Sequence, residues 1–309
     1  MTPNHTTVLA LLAEAVTQLA DHSDSPALDA ELLLSHVLRQ PRSRLKSHPE
    51  EIPGDSAIRE FRELLARRVD GEPLAYIVGY RHFWTLQLTV TPAVLVPRPE
   101  TELLVERALS LGSERAGQRA GHIVSQSVNQ IGHQTGDQVA AKIVDLGTGS
   151  GAIALALASE RPHWQVTATD VSAAALEVAR ANAKRLALER VEFLQGSWFE
   201  PLAGRRFNLI VSNPPYIGAG EPEMQAPALR HEPRGALSPG PAALESLAAI
   251  VHSAPLYLEP GGWLLLEHGS THGPDVAHEL VGRGFGHVRS HRDLAGHERV
   301  TEGQWPARQ

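Results

Sequence analysis

Three stretches near the start of the chain, Val8 to Leu19, Pro26 to Leu38 and Ser56 to Val69, place leucine, valine or isoleucine every three to four positions with charges between them. That period gathers the apolar side chains on one stripe of a helix, so the spacing predicts a small bundle of three or four short helices over residues 1–80. Within it, the basic run RQPRSRLK (Arg39 to Lys46) reads as a solvated loop after a helix. The period then changes. In HFWTLQLTV, Leu86, Leu88 and Val90 alternate with Gln87 and Thr89, which predicts a half-buried strand and a hairpin linking two domains. The prolines of PRPETELLVERALSL set a helix start that Leu103, Leu104 and Ala108 continue, so hairpin and connecting helix fill 81–111.

Residues 112–140 break the pattern. They are rich in Gly, Ser, Gln and His and poor in large apolar side chains, which predicts a flexible insertion, because such a stretch buries too little to offset its ordering entropy. From Lys142 strand and helix signals alternate. Strands are predicted at Lys142–Leu146, Gln165–Asp170, Val191–Gln195, Leu209–Ser212, Trp263–Glu267, Gly286–Arg292 and Arg299–Gln304, and helices at Ala152–Glu160, Ala173–Leu186 and Ala242–Leu258. Alternation of this kind calls for an α/β fold, a mostly parallel sheet covered on both faces, here over 141–309. The last two strands, joined by a short loop, should pair antiparallel at an edge.

Bulk composition narrows the chemistry. At 309 residues, 42% hydrophobic and 20% charged, the chain is an ordinary globular protein, and a net charge of −7 argues against a protein that grips polyphosphate, so no direct nucleic-acid binding is expected. The absence of cysteine excludes disulfides, thiolate metal sites and cysteine nucleophiles. The 16 histidines are scattered without HExxH or a comparable spacing, so no metal site is expected. The opening residues lack a basic n-region and no apolar run reaches membrane-spanning length, which predicts a cytoplasmic protein with no membrane association.

Three features follow successive predicted strands. DLGTGSGAIA (Asp145 to Ala154) carries Gly147, Gly149 and Gly151, which let the backbone turn tightly and approach a ligand at the start of the next helix; alone, the loop is also a plain strand-to-helix turn. Asp170 ends the second strand, where a carboxylate can accept both hydroxyls of a ribose or cap the following helix, a task Ser172 could also perform. Trp198 in GSWFEPL follows the third strand and can stack on a purine or pack in the core. All three fall on the carboxyl edge of the sheet, where open α/β folds bind ligands. The spacing GxGxG is not the pyrophosphate-binding GxGxxG, so a sugar–purine ligand without pyrophosphate is favoured, S-adenosyl-L-methionine over NAD.

The fourth strand ends in SNPPYIG, Ser212 to Gly218. Two prolines cannot donate to a sheet ladder, so they form a rigid loop. An amide or amino nitrogen conjugated to a π system is a poor nucleophile and must be aimed. The side-chain carbonyl of Asn213 and the backbone carbonyl of Pro214 can accept its two N–H hydrogens while Tyr216 covers the planar face. No strong base is needed before transfer, in keeping with a motif that lacks Lys and His.

With these residues in place, the chain resembles the HemK-like (PrmC) methyltransferases that modify the glutamine of the Gly-Gly-Gln loop in class 1 peptide chain release factors. The further stretches EPLAYIVGYRHFW, VTPAVLVPRPETE, GSWFEPL, LLLEHG and RDLAGHERV carry the resemblance along nearly the whole chain. It implies a Rossmann-like class I S-adenosylmethionine-dependent methyltransferase domain behind an N-terminal helical domain that docks the release factor. It also implies that Gly147, Thr148, Gly149, Ser150 and Gly151 cradle the methionine part of the cofactor, Asp170 its ribose, and Trp198 the neighbourhood of the adenine. Asn213 would touch cofactor and substrate, Pro214, Pro215 and Tyr216 would complete the glutamine pocket, and the hairpin and PRPET segment would pack near the active site. Two alternatives share the core: a glutamine methyltransferase acting on a ribosomal protein, and an adenine-N6 methyltransferase acting on nucleic acid.

Overall fold

The structure, a computed structural model, describes residues 6–123, 140–240 and 242–307. It divides into two compact units, one of Met1–Tyr80 with Gln225–His231, the other of Arg81–Met224 with Glu232–Gln309.

The first unit contains helices α1 (Val8–Leu19), α2 (Pro26–Leu38), α3 (Arg42–Ser47), α4 (Asp55–Val69) and α5 (Leu74–Val78). Leu11, Leu33, Leu34, Phe61 and Leu65, spaced by the helical period, form its core. Thr7 caps α1 by accepting from Ala10 N. The basic run Arg39–Lys46 is not a loop throughout. Arg39 takes the left-handed conformation (φ 52°) that stops α2, and Arg42–Ser47 then coil into α3. Leu45 anchors that turn in the core while Arg42 and Lys46 both pair with Glu31 of α2. One apolar residue and a carboxylate across the turn turned a basic run into a helix.

The second unit opens on a hairpin, β1 (Tyr80–Phe83) and β2 (Leu86–Thr89), followed by α6 (Glu102–Ile123). The helix therefore continues through the first part of the stretch predicted to be an insertion without regular structure. Ala, Glu, Arg and Gln between 113 and 120 are good helix formers and extend what the preceding leucines begin. Residues 124–139 of that predicted insertion lie outside the described residues. Gly112 lets α6 lie close against Trp164: a Cβ there would stand 2.2 Å from that buried ring.

Next come β3 (Lys142–Leu146), α7 (Ala152–Glu160), β4 (Gln165–Asp170), α8 (Ala173–Arg185), β5 (Glu192–Gln195), β6 (Phe207–Ser212), α9 (Arg234–Leu237), α10 (Glu245–Ser253), β7 (Leu258–Glu267), α11 (Gly273–Arg283), β8 (Gly286–Arg292) and β9 (Glu298–Gln304). The helix expected over Ala242–Leu258 is shorter, because Pro255 ends it in a 3-10 turn at Ala254–Leu256 and β7 begins at Leu258. The seven strands lie in the order β5-β4-β3-β6-β7-β9-β8. Strands β3 to β7 are parallel, and β8 and β9 form the antiparallel hairpin at the edge with β9 against β7. Helix α7 is buried from Ala152 to Ala158, as its unbroken alanine and leucine content requires.

Strand order reverses between β3 and β6. Ligands bind in the crevice such a reversal opens at the carboxyl ends of the strands.

Candidate functional site

Register gathers the site. Leu146 pairs with Thr169 on one side and Ser212 on the other, and Ser212 pairs with Leu266. One position beyond this row stand Asp170, Gly147, Asn213 and Glu267, on four adjacent strands. Strands are about 4.8 Å apart, so these four residues share one edge within about 15 Å.

The glycine loop is tied to its neighbours through its backbone. Gly147 N and Thr148 N both donate to Thr169 O, each at 2.9 Å. Gly147, Gly149 and Gly151 have φ of 74°, 56° and 85°, a region closed to most side chains. Beneath the loop Asp145 is fully buried; its Oδ2 accepts from Thr148 Oγ1 (2.7 Å) and Ala154 N (3.2 Å), while Oδ1 has no partner. Burial pushes its carboxyl up to about 7, against the pull of those two donors.

Asp170 accepts from Gly149 N and Ser172 N, both at 2.9 Å and on different oxygens. It thus braces the glycine loop and keeps a lone pair free on each oxygen, while Ser172 caps α8 by accepting from Ala175 N. Trp198 takes φ 45° and lays its ring over Gly147, where a Cβ would lie 3.3 Å from the indole. The ring also packs against the core, so it joins loop and core in one contact.

A cavity of about 510 Å³ opens here. Gly147, Thr148, Gly149, Ser150, Asp170, Trp198, Asn213 and Pro215 line it, with Arg98 and Thr101 of the PRPET segment and Gly235 and Ala236 of α9. Gly151, Pro214 and Tyr216 are not among the lining residues; Pro214 is buried, and Gly151 starts α7. Tyr216 meets His272 edge-on, with ring centroids 6.4 Å apart. Burial, with the Glu267 carboxylate nearby, raises its phenol above the usual tyrosine range.

Several residues that hold the site lie outside the glycine loop and the SNPPYIG stretch. Asn213 Nδ2 donates to Thr101 Oγ1 (3.2 Å), and Thr101 is buried. The segment before it is fastened by the buried Glu232, whose carboxylate pairs with Arg98 (2.5 Å) and accepts from Val96 N. Asn182 of α8, also buried, exchanges two hydrogen bonds with the Thr89 backbone and donates to Ser150 O, joining hairpin and glycine loop. Glu267, 1% exposed, ends β7 beside Asn213, and burial pushes its carboxyl up to about 7. A signal for Glu267 was present: an acid that closes an apolar strand run, LLLE, at the ligand edge. Asn182 had none, since its partners come from distant parts of the chain.

Among the described residues no group of three His, Asp or Glu side chains is arranged to hold a metal ion, and no helix is long and apolar enough to cross a membrane.

Two families match parts of the chain: the PrmC N-terminal domain over residues 10–79 and the methyltransferase small domain over residues 131–240. The release factor glutamine methyltransferase of Vibrio cholerae is 46% identical over 301 residues, 97% of this chain and 97% of that protein. The protein of the same name from Pseudomonas aeruginosa is 46% identical over 97% of this chain and 99% of its own length. Among solved structures, the hMettl16 catalytic domain in complex with MAT2A 3'UTR hairpin 6 superposes with a TM-score of 0.53, covering 83% of each chain at 15% identity. That likeness bears on the fold alone, a class I methyltransferase sheet.

Proposed function

The chain belongs to the release factor glutamine methyltransferase family, and on that premise we propose that it transfers a methyl group from S-adenosyl-L-methionine to the side-chain amide nitrogen (N5) of the glutamine in the Gly-Gly-Gln motif of class 1 peptide chain release factors. The observation that carries the proposal is the bond from Asn213 Nδ2 to Thr101. With one N–H of that amide held by Thr101, Oδ1 is the acceptor that Asn213 offers a substrate beside the cavity.

The cavity fits the cofactor in three respects. The glycine loop has no Cβ where a ligand approaches, Asp170 retains acceptor capacity for two ribose hydroxyls, and the Trp198 ring offers an apolar face for a purine. S-adenosyl-L-methionine, when bound, supplies an electrophilic methyl carbon on a sulfonium.

The chain's own residues then aim the nitrogen. Asn213 Oδ1 and the Pro214 carbonyl accept the two N–H hydrogens of the glutamine amide, so the lone pair points along the axis perpendicular to both. Pro215, at the cavity wall, and Tyr216 of the same loop are assigned to cover the planar group. The two prolines hold these acceptors at little entropic cost. In this reading the helical unit of residues 1–80, which matches the PrmC N-terminal domain over residues 10–79, is the docking surface for the release factor.

The test is mass spectrometry of the release-factor peptide carrying Gly-Gly-Gln after incubation with protein and cofactor. Methylation on that glutamine is expected. Methyl incorporation only into a ribosomal protein or into nucleic acid would refute the assignment.

A further inference from the structure

We infer that Glu267 is a positioning residue for the reaction: acting through Thr101, it fixes which end of the Asn213 amide faces the substrate nitrogen. The inference rests on the glutamine reading above and assigns a task to a side chain outside the NPPY and glycine motifs.

Asn213 and Glu267 each stand one residue beyond the paired row Ser212–Leu266, on neighbouring parallel strands. Glu267 is 1% exposed and its Oε2 lacks a partner in hydrogen-bond geometry. A carboxylate so placed is costly unless polar neighbours serve it. Those neighbours are the hydroxyls of Thr101 and Tyr216, which both act on it to favour its charge.

The direction of the chain follows from donor counting. Thr101 Oγ1 accepts a hydrogen bond from Asn213 Nδ2 at 3.2 Å, which leaves its own single proton for another acceptor. An ionised carboxylate can only accept, and since the Thr101 hydroxyl acts on the buried Glu267 to favour its charge, that proton is assigned to Glu267. In this assignment Asn213 donates to Thr101 and Thr101 donates to Glu267, which leaves Asn213 Oδ1 to the substrate.

A carboxyl that carries a proton can donate to Thr101 instead. The sequence of donors then reverses, Thr101 donates to Asn213 Oδ1, and the amide presents its NH2 to the substrate N–H groups, donor against donor. Besides Thr101 and Tyr216, the charged groups acting on Glu267 are Arg299 of β9, which favours ionisation, and Glu100 of the PRPET segment, which opposes it. Burial dominates both and pushes the carboxyl up to about 7.

The experiment compares wild type with Glu267→Gln, which keeps size but replaces an acceptor-only carboxylate with an amide that can also donate to Thr101. At about pH 8, kcat of the variant on the release factor should fall roughly tenfold while KM for the cofactor stays within about twofold. As pH drops through about 7, wild-type kcat should decline toward the variant's value, and the variant should show no such decline. Thr101→Val should lose activity similarly and Thr101→Ser should restore it. Equal kcat for wild type and Glu267→Gln with the same pH profile overturns the inference, as does a loss expressed equally in cofactor KM. If wild type itself leaves the Gly-Gly-Gln glutamine unmethylated, the functional reading falls and this inference with it; an active wild type with an unaffected variant removes only the inference.

Discussion

Asn213 and Thr101 are 112 positions apart in the chain, yet the amide of one donates to the hydroxyl of the other at 3.2 Å. The contact joins the loop after β6 to the segment that opens α6, and Glu232 holds that segment by its grip on Arg98. The orientation of the motif's asparagine is thus set by a residue the motif does not contain.

Replacing Asn213 tests aiming against base catalysis. Asn213→Ala removes one acceptor for the substrate N–H and should lower kcat about a hundredfold, the scale for a lost positioning hydrogen bond. Asn213→Asp keeps an acceptor oxygen but cannot donate to Thr101, and it puts a second carboxylate beside the buried Glu267. It should be impaired to a similar degree despite being a stronger base. Steady-state rates for Asn213→Asp that match wild type, rising toward high pH, would establish base catalysis instead.

Asp170→Ala should weaken cofactor binding by about 2 kcal/mol, close to thirtyfold, from two charge-assisted hydrogen bonds partly offset by water. The bonds from Gly149 N and Ser172 N add a second effect: the variant should also lose roughly 1 kcal/mol of stability. Asp170→Asn keeps oxygen for one of them and should fall between. Calorimetric titration with the cofactor reads the first effect and thermal melting the second; unchanged affinity in a folded Ala variant would remove Asp170 from the site.

The glycine loop permits a geometric test. Gly147→Ala places a methyl at φ 74° and 3.3 Å from the Trp198 ring. The conformation alone costs on the order of 1–2 kcal/mol. Since the indole must also shift by a few tenths of an ångström, cofactor affinity should fall with stability. An Ala variant that melts and binds like wild type would show that loop and ring adjust together.

What the sequence made legible was what repeats locally. The two-residue period of strands and the three-to-four-residue period of helices located α1, α2, α7, β4 and β8 at their observed bounds. Loops that follow consecutive strands had to meet at one edge, so Gly147, Asp170 and Asn213 could be grouped without coordinates. Illegible were the long-range partners. Thr101, Asn182 and Glu232 are ordinary polar residues until the fold brings a hydrogen-bond partner to each, and Glu267, readable only as an acid at the end of LLLE, gains its role beside Asn213. The helix at Arg42–Ser47 was hidden for the same reason, because Glu31 across the turn neutralises its charge.

The last prediction concerns stability and pH, through Asp145. Its carboxyl is pushed from 3.8 up to about 7, chiefly by burial, with the charge of Asp170 adding to the rise while Thr148 and the Ala154 N–H oppose it. A raised carboxyl means that the folded protein holds the proton more tightly than the unfolded chain does. The stabilisation is therefore complete below about pH 4 and is lost as pH climbs through about 7, and Glu267, raised to the same range, adds a loss of the same sign. Asp145→Asn abolishes the first contribution. Its amide oxygen can keep both bonds now made to Oδ2, and its NH2 takes the place of the unpartnered Oδ1, where an unsatisfied donor costs about 1–3 kcal/mol. The variant should consequently be less stable than wild type near pH 5, where Asp145 is still protonated, and should close the gap or overtake it near pH 8, where wild type must ionise a buried group. Urea midpoints at the two pH values measure the difference. A gap in favour of wild type that widens toward pH 8 would mean that Asp145 is ionised and well served in the native protein, and would reverse the sign assigned here.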